Sequence, residues 1–452
     1  MLFTLDKHQS KPLYQQIIET IESAVLSGKL KPGERLPSER DLSHFFDVNR
    51  STVVRAMEEL HDRKIIIRKV GSGTFINPQK WGLFSEPRMQ WNEAQTSNAF
   101  EKAVSLDFTN GDLPLELYPS LQLPEIDWQL LLEAEQENSA TKLGTKSLRM
   151  AVQRYLKESH QWDVDLNEIL ITSGTQQAIS LIALGLLKTG DAVAIENPSY
   201  FYSLSIFQAL GIRIYGIPMD QEGIMVEKLD ELVHKHSLKM IFINPIFHNP
   251  TGRVMSAARK QALRDYATRK RILIVEDDAY AQLKFHPATD NSPLKMKDSA
   301  ENVLYLSSLS KYLGRSIRIG WMIAPPAIIE HLASIRQQLD SGLSSLPQFM
   351  AEFYLNHYAK AHESMLQSAL KTRADALASW LTEHFSTLLT FDAPQGGFHL
   401  YATPKAPHMQ KQIELKLSTL DARATKSSYF GGDDAAFRLS FAHFPITKRD
   451  QN

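Results

Sequence analysis

Lys311 closes the run Ser307-Ser308-Leu309-Ser310-Lys311, directly after the apolar stretch Val303–Leu306. A lysine amine is a residue type able to form a Schiff base with a carbonyl compound. Asp277 follows Ile272-Leu273-Ile274-Val275 within Glu276-Asp277-Asp278-Ala279-Tyr280, where a buried carboxylate could keep a ring nitrogen protonated. Ile169-Leu170-Ile171-Thr172 runs into Ser173-Gly174-Thr175-Gln176-Gln177 and an apolar helical stretch. That strand, tight turn and helix N-terminus suit a phosphate, with backbone N–H groups of Gly174, Thr175 and Gln176 aimed at it. Arg438, in Phe437-Arg438-Leu439-Ser440-Phe441, offers a guanidinium that can grip a carboxylate through two parallel hydrogen bonds. Each feature has an ordinary alternative: a surface lysine, an acidic loop or helix cap, an unliganded α/β turn, an edge-strand arginine paired with a local acid. Tyr200, in Asn197-Pro198-Ser199-Tyr200, reads alone as a loop aromatic, and His248-Asn249-Pro250-Thr251-Gly252 as a plain turn. His234-Lys235-His236 has no third ligand nearby and reads as a polar helix end rather than a metal site.

Composition removes other chemistries. The 452 residues include no cysteine, which excludes disulfide scaffolds, thiolate zinc sites, iron–sulfur clusters and cysteine nucleophiles. With 43% hydrophobic and 22% charged residues, the chain has globular composition, and its length suggests two or three domains. No long apolar stretch occupies Met1–Ser10, and the longest nearly apolar run, Ala178–Leu187, is too short to span a bilayer. A cytoplasmic protein is expected. The 50 basic and 51 acidic side chains give a net charge of −1, so nothing in the total points to nucleic acid. The distribution is uneven, however. Residues 1–80 hold 13 Lys+Arg against 10 Asp+Glu, and the remainder 37 against 41, a mildly basic front on an acidic body.

The elements that must position these residues follow from periodicity. Pro12 opens a helical stripe of Leu13, Ile17, Ile21 and Val25, which Gly28 stops. Ser38 can cap a second helix with Asp41 three residues on, and Leu42, Phe45 and Phe46 supply its buried side. Asn49 can cap a third, with Val53, Ala56, Met57 and Leu60 on one face and Ser51, Thr52 and Arg55 on another. Ile65–Arg68, then Val70-Gly71-Ser72-Gly73, then Thr74-Phe75-Ile76 read as a hairpin with Arg68 and Lys69 near its tip. Two short helices, the second with a basic outer face, then a hairpin: this is a winged helix-turn-helix pattern. Residues 78–104, with Trp81, Phe84 and Trp91, lack periodicity and read as a linker. Beyond it, apolar runs at Ile169–Thr172, Ala192–Ile195, Arg213–Gly216, Met240–Ile243, Ile272–Val275, Val303–Leu306 and Trp321–Ala324 alternate with helical stretches. That alternation predicts an α/β domain with a mostly parallel sheet. The expected domains are 1–77, the linker 78–104, and 105–452.

Pro12-Leu13-Tyr14-Gln15-Gln16, Leu36-Pro37-Ser38-Glu39-Arg40, Asn49-Arg50-Ser51-Thr52-Val53 and Gly71-Ser72-Gly73-Thr74-Phe75 resemble, in order, the winged-helix domain of GntR-type regulators. The resemblance implies DNA contacts from Arg40, Asn49, Arg50, Ser51, Thr52 and Gly73, to which the outer face and wing add Arg55 and Arg68. Val54 stands where many members place an arginine, and Lys64 replaces a common glycine. Residues 105–445 resemble the fold-type I aminotransferases, whose domains have a mostly parallel central sheet and a smaller C-terminal α+β part. That likeness implies pyridoxal 5′-phosphate as cofactor. Lys311 would carry the Schiff base, Asp277 would pair with the pyridine nitrogen, and Tyr200 would stack on the ring. Asn249 and Tyr280 would donate to the ring oxygen. Gly174, Thr175, Gln176, Ser308, Ser310 and Arg318 would hold the phosphate, and Arg438, with Gly111 beside it, would bind substrate or effector. The family's tyrosine that reaches a neighbouring subunit's phosphate falls near Ser139 here, whereas Gly144, Leu148 and Arg149 of the following element remain.

The fusion of the two resembles the MocR subfamily of bacterial transcriptional regulators. It implies a homodimer that binds promoter DNA and senses an amino compound through aldimine chemistry at Lys311. The alternatives are a working amino acid/2-oxo acid aminotransferase with an appended DNA-binding domain, and a DNA-binding protein whose large domain only dimerises.

Overall fold

Residues 11–77 fold around one small apolar core because their buried side chains recur at helical spacing. Helix α1 (Leu13–Leu26) buries Ile17, Ile18, Ile21 and Ala24. The stripe expected through Leu13 and Val25 is the half-buried edge of that face. Helix α2 (Glu39–Phe46) opens on a capping box: the Ser38 hydroxyl accepts from the Asp41 N–H, and the Asp41 carboxylate accepts in return from the Ser38 N–H. Its buried side is Leu42 and Phe46 only; Phe45, expected there, is 47% exposed. One step of about 100° from Phe46 carries Phe45 off the core face, and its ring rests edge-on against Phe46. Helix α3 (Arg50–Asp62) buries Val53, Ala56, Met57 and Leu60, as the periodicity predicts. Strands β1 (Ile66–Lys69) and β2 (Gly73–Ile76) pair antiparallel with Lys69 opposite Gly73, forming the wing.

The chain divides into two units, residues 1–91 and 92–452. The computed structural model describes residues 5, 11–26, 29–31, 33–62, 65–69, 72–77, 104–122, 124–129, 131–133, 136, 142–236, 238–340, 342–432 and 435–446. Gly28, Lys64, Val70, Gly71, Ser139 and the expected linker up to residue 103 lie outside them.

In the second unit eight strands form one sheet in the order β4-β11-β10-β9-β8-β5-β6-β7. They are β4 (Ile169–Thr172), β5 (Ala192–Asn197), β6 (Arg213–Asp220), β7 (Gly223–Ile224), β8 (Leu238–Ile243), β9 (Leu273–Asp278), β10 (Val303–Ser308) and β11 (Gly320–Ile323). Neighbours from β10 to β6 run parallel, and β11 lies antiparallel between β10 and β4. Strands β4, β5, β8, β9, β10 and β11 read as near-continuous apolar runs because helices cover both faces, which leaves no solvated side to alternate, whereas β6, near the sheet edge, is half-exposed. Helix α4 (Lys146–His160) precedes β4, and helix α5 (Thr175–Leu186) follows it. Strands β12 (Leu389–Phe391), β13 (His399–Pro404), β15 (Thr425–Lys426) and β16 (Phe437–Ser440) form a smaller antiparallel sheet in the order β12-β13-β16-β15. Between them β14 (Ala422–Arg423) pairs in parallel with β3 (Leu106–Asp107). No helix among the described residues is long and apolar enough to cross a membrane.

Candidate functional site

In an open parallel sheet, the crevice beyond the carboxyl ends of the strands is where ligands bind. Here that crevice is a cavity of about 650 Å³. All the residues expected to hold cofactor or effector line it: Gly174, Thr175, Gln176, Tyr200, Asn249 and Asp277, with Tyr280, Ser308, Ser310, Lys311, Arg318, Arg438 and Gly111. A second cavity of about 460 Å³ shares His399 with it but holds none of them.

One end of the cavity is built for an anion. Gly174 adopts φ +78, which a glycine takes without strain, and turns the chain from β4 into α5. The first backbone N–H groups of α5 are free of intrahelical partners by geometry. Ser308 and Ser310 face this turn with their hydroxyl oxygens 2.9 Å apart, and the Ser310 N–H donates to Ser308 Oγ. Arg318, itself left-handed at φ +49, donates from Nη2 to the Ser173 carbonyl at 2.8 Å. Gly320 makes the close approach possible, since a Cβ there would lie 2.6 Å from the Ser307 carbonyl and 2.9 Å from Gly174 Cα.

The centre brings together a carboxylate, an amide and two tyrosines. Asp277, near the end of β9, has Oδ1 buried with no hydrogen-bond partner. Burial pushes its carboxyl up to about 7, with Lys311 pulling the other way. A low-dielectric carboxylate lacking a partner is costly, and a protonated ring nitrogen would supply one. Its backbone is held by residues that no motif marked. Asn244 donates from Nδ2 to the Asp277 carbonyl at 2.8 Å, and the Asn249 N–H donates to Asn244 Oδ1 at 2.7 Å. Glu196 Oε2 accepts from the Asn244 N–H at 2.7 Å. The only hint in the sequence is a polar residue directly after an apolar strand. Tyr200 rides above this layer, its N–H donating to the Asn249 carbonyl and its hydroxyl accepting from Gln176 Nε2 at 3.1 Å. Tyr280 is buried, its hydroxyl 3.5 Å from His399 Nε2, and burial holds its proton well above the usual tyrosine range.

The far side offers the amine and the guanidinium. Lys311 Nζ donates to the Gly111 carbonyl at 2.7 Å and lies 5.8 Å from the ring centres of Tyr280 and Phe398. Burial chiefly lowers its affinity for its proton, which favours the nucleophilic amine. Arg438 on β16 donates to Asn249 Oδ1 at 3.2 Å and to the Thr109 carbonyl at 2.8 Å, while its buried Nε has no partner. Phe430 lies under the guanidinium at 5.0 Å. Thr109, Asn244, Arg315, His399 and Phe430 also line the cavity and were not singled out by sequence.

On the winged unit, Arg40, Asn49, Arg50, Ser51, Arg55, Arg68 and Gly73 are exposed and Thr52 is half-buried. Arg55 lies over the Tyr14 ring at 4.0 Å. Glu39 approaches Arg50 at 3.9 Å and Arg68 at 3.4 Å, tying the start of α3 to the wing.

Residues 105–450 match the family model for aminotransferase class I and II, and residues 13–76 match that for bacterial regulatory proteins of the gntR family. The HTH-type transcriptional regulator YdfD of Bacillus subtilis is 34% identical, over 98% of this chain and 95% of its own. The HTH-type transcriptional regulator NorG of Staphylococcus aureus is 30% identical, over 90% and 95%. Among solved structures, the multiple substrate aminotransferase of Thermococcus profundus matches with a TM-score of 0.68 and 26% identity, covering 80% of this chain and 93% of that one. An archaeal alanine:glyoxylate aminotransferase matches with a TM-score of 0.65 and 28% identity, covering 79% and 90%. The matched family and these neighbours imply a pyridoxal 5′-phosphate cofactor. The donor cup at Gly174, the partnerless Asp277 oxygen and the half-buried Lys311 amine fit that group.

Proposed function

Because the chain belongs to the aminotransferase class I and II family and carries a gntR-family DNA-binding domain ahead of it, the architecture of MocR-type transcriptional regulators, we propose that it is a promoter-binding regulator whose cavity holds pyridoxal 5′-phosphate at Lys311 and senses a small amino compound. The observation that carries this reading is the meeting, in one cavity, of a half-buried amine, a buried carboxylate with a partnerless oxygen and a buried guanidinium with a partnerless Nε. When bound, the cofactor supplies an aldehyde that condenses with amines and a ring that withdraws electrons.

Each residue then has a physical task. Asp277 holds a proton on the ring nitrogen, with Asn244 and Glu196 fixing its backbone. Tyr200 covers the ring face, and Asn249 and Tyr280 direct donors at the ring oxygen. The turn at Gly174, with Thr175, Gln176, Ser308, Ser310 and Arg318, neutralises the phosphate. Lys311 would provide the amine that holds the cofactor. Arg438 is placed to take a carboxylate of the effector, exchanging its contacts to Thr109 and Asn249 for a charged partner, and Gly111 leaves room beside it. For the effector to act as a switch it must bind two arrangements of the protein with different affinity; about 1–3 kcal/mol of coupling suffices for regulation. On the DNA side, Arg40, Asn49, Arg50, Ser51, Thr52, Arg55, Arg68 and Gly73 would contact the duplex. The reading includes domains at 1–77 and 105–452 joined by a linker, a cytoplasmic location, and a homodimer in which both subunits complete each cavity.

Absorption titration of the purified protein with pyridoxal 5′-phosphate tests this. A visible band should form with wild type and fail to form with Lys311→Ala; an identical spectrum for the two sinks the assignment of the lysine. Adding amines and amino acids should then change the band together with the mobility of a promoter fragment. Steady turnover of an amino donor with a 2-oxo acid, without any change in DNA mobility, would favour the aminotransferase reading instead.

A further inference from the structure

The amine of Lys311 sits in an ionic arrangement that the tasks above do not use. Its Nζ lies 3.5 Å from Asp112 Oδ1, in addition to its hydrogen bond to the Gly111 carbonyl. The other oxygen, Asp112 Oδ2, pairs with Arg315, whose Nε lies 2.6 Å away. The carboxylate is thus shared between an amine that is largely buried and a guanidinium whose side chain is 71% exposed. We propose that Asp112, braced by Arg315, is the positioning residue for Lys311: it holds the amine on the Gly111 carbonyl and sets what fraction of it is free to react.

The surroundings of the amine support the assignment. Burial favours the neutral amine, Asp112 opposes that tendency, and Arg315 reinforces it. The other titratable groups facing Nζ are Tyr200, Asp277, Tyr280 and His399. Tyr200 and Tyr280 keep their protons and His399 stays neutral because they are buried. Among the described residues, Asp112 is the carboxylate that reaches hydrogen-bond distance of Nζ. An opposite charge this close holds an ammonium in its charged form against desolvation. The charge on Asp112 is therefore a brake on the amine, and Arg315, by sharing that charge, weakens the brake.

The position of Asp112 in the chain gives the contact a second consequence. Gly111 and Asp112 belong to residues 104–122, the first described stretch after the expected linker. Drawing the amine away from Gly111 changes Asp112 from two cationic partners to one, on a segment that chain continuity joins to the DNA reader. This use of the contact rests on the proposed cofactor reading; the contact itself does not.

Competitive acetylation of the full-length protein before any cofactor is added, resolved at Lys311 by mass spectrometry across a pH series, tests the proposal. Asp112→Asn should move the half-reaction of Lys311 down by about one pH unit or more, giving about tenfold faster labelling below that pH. Arg315→Gln should slow labelling, and Asp112→Glu should restore the wild-type profile. A loosened fold would speed labelling in every variant, so opposite directions for Asp112→Asn and Arg315→Gln identify the electrostatic role. Unchanged labelling in Asp112→Asn, or faster labelling in both variants, overturns it. Absorption of the same samples after adding pyridoxal 5′-phosphate keeps the two readings apart. A wild type without a band refutes the cofactor assignment, while the labelling still decides the role of Asp112.

Discussion

Asp277 is under electrostatic tension that a cofactor can relieve. Its carboxyl is pushed up to about 7 by burial, against the ordinary value of 3.8 expected in the unfolded chain. The folded protein therefore binds the Asp277 proton more tightly than the unfolded one does. The stability from this group is complete below 3.8 and is lost as pH rises to about 7, at roughly 1.4 kcal/mol per pH unit. Glu276 and Asp278 are also raised by burial and share part of this window, so a substitution is needed to isolate Asp277. Without cofactor, Asp277→Asn should melt above wild type at about pH 8, and the gap should close towards about pH 4. With pyridoxal 5′-phosphate the order should reverse, because the wild-type carboxylate then gains a cationic partner. A melting difference independent of pH in calorimetry would remove the argument. Many of the residues that line the cavity were legible because short runs such as Ser173–Gln177, Glu276–Tyr280 and Ser307–Lys311 resemble, in order, those of a known family, although each run alone has an ordinary reading. Asp112, Arg315, His399 and Asn244 were not. Their meaning depends on partners far along the chain, as with Asp112 and Lys311, 199 residues apart, and neither periodicity nor local motif records such a pairing.

At the scale of elements, the site depends on three backbones meeting: the end of β10, the start of β11 and the turn between β4 and α5. Gly320 lies opposite Thr172 on one side and Ser308 on the other. A methyl group at Gly320 would press on the Ser307 carbonyl and on Gly174 Cα, neither of which is a flexible side chain that could yield. Gly320→Ala should therefore cost about 1–3 kcal/mol of stability by overpacking. It should weaken cofactor binding further, because the relief available is to move the phosphate turn. Equal melting temperature and equal affinity in a cofactor titration would show that the approach is not tight. The strands themselves were easy to read: a buried parallel strand must be apolar on both faces, and the runs from Ile169 to Ala324 are, apart from Arg213–Gly216 at the sheet edge. Their edges were less exact, with β6 extending to Asp220 and β9 reaching Asp278. Polar residues continue those strands because each finds a partner at the strand end: Asp220 pairs with Arg259, Glu276 accepts from the Leu294 and Lys295 N–H groups, Asp278 accepts from Tyr305, and Asp277 faces the cavity. The winged unit was legible for the same reason in helical form. Phe45 was misjudged because hydrophobicity alone does not say which side of a short helix faces the core.

The whole molecule must reconcile DNA binding with a net charge of −1. A basic excess of three charges in the first 80 residues, ahead of an acidic remainder, gives a single DNA reader little electrostatic attraction, and salt weakens it further. Useful affinity then requires two readers delivered together, which is what dimerisation through the large unit would provide. That unit exposes apolar side chains where such a contact could form. Trp128 is 68% exposed, Leu346 44% and Met150 40%. Residues 125–127, the first turn of α4 and the helix Ser345–His357, which packs on α4, enclose one shallow cleft. Exposed apolar side chains on these neighbouring segments are where such a contact is expected. Linking two readers raises apparent affinity by about 10²–10⁴ when both can engage. Wild type should therefore bind a promoter fragment with two half-sites far more tightly than one with a single half-site. Leu346→Asp should sediment as a monomer and lose that difference, while keeping its affinity for the single half-site. Equal affinity of wild type for the two fragments would mean that each reader acts alone and that the patch serves another purpose.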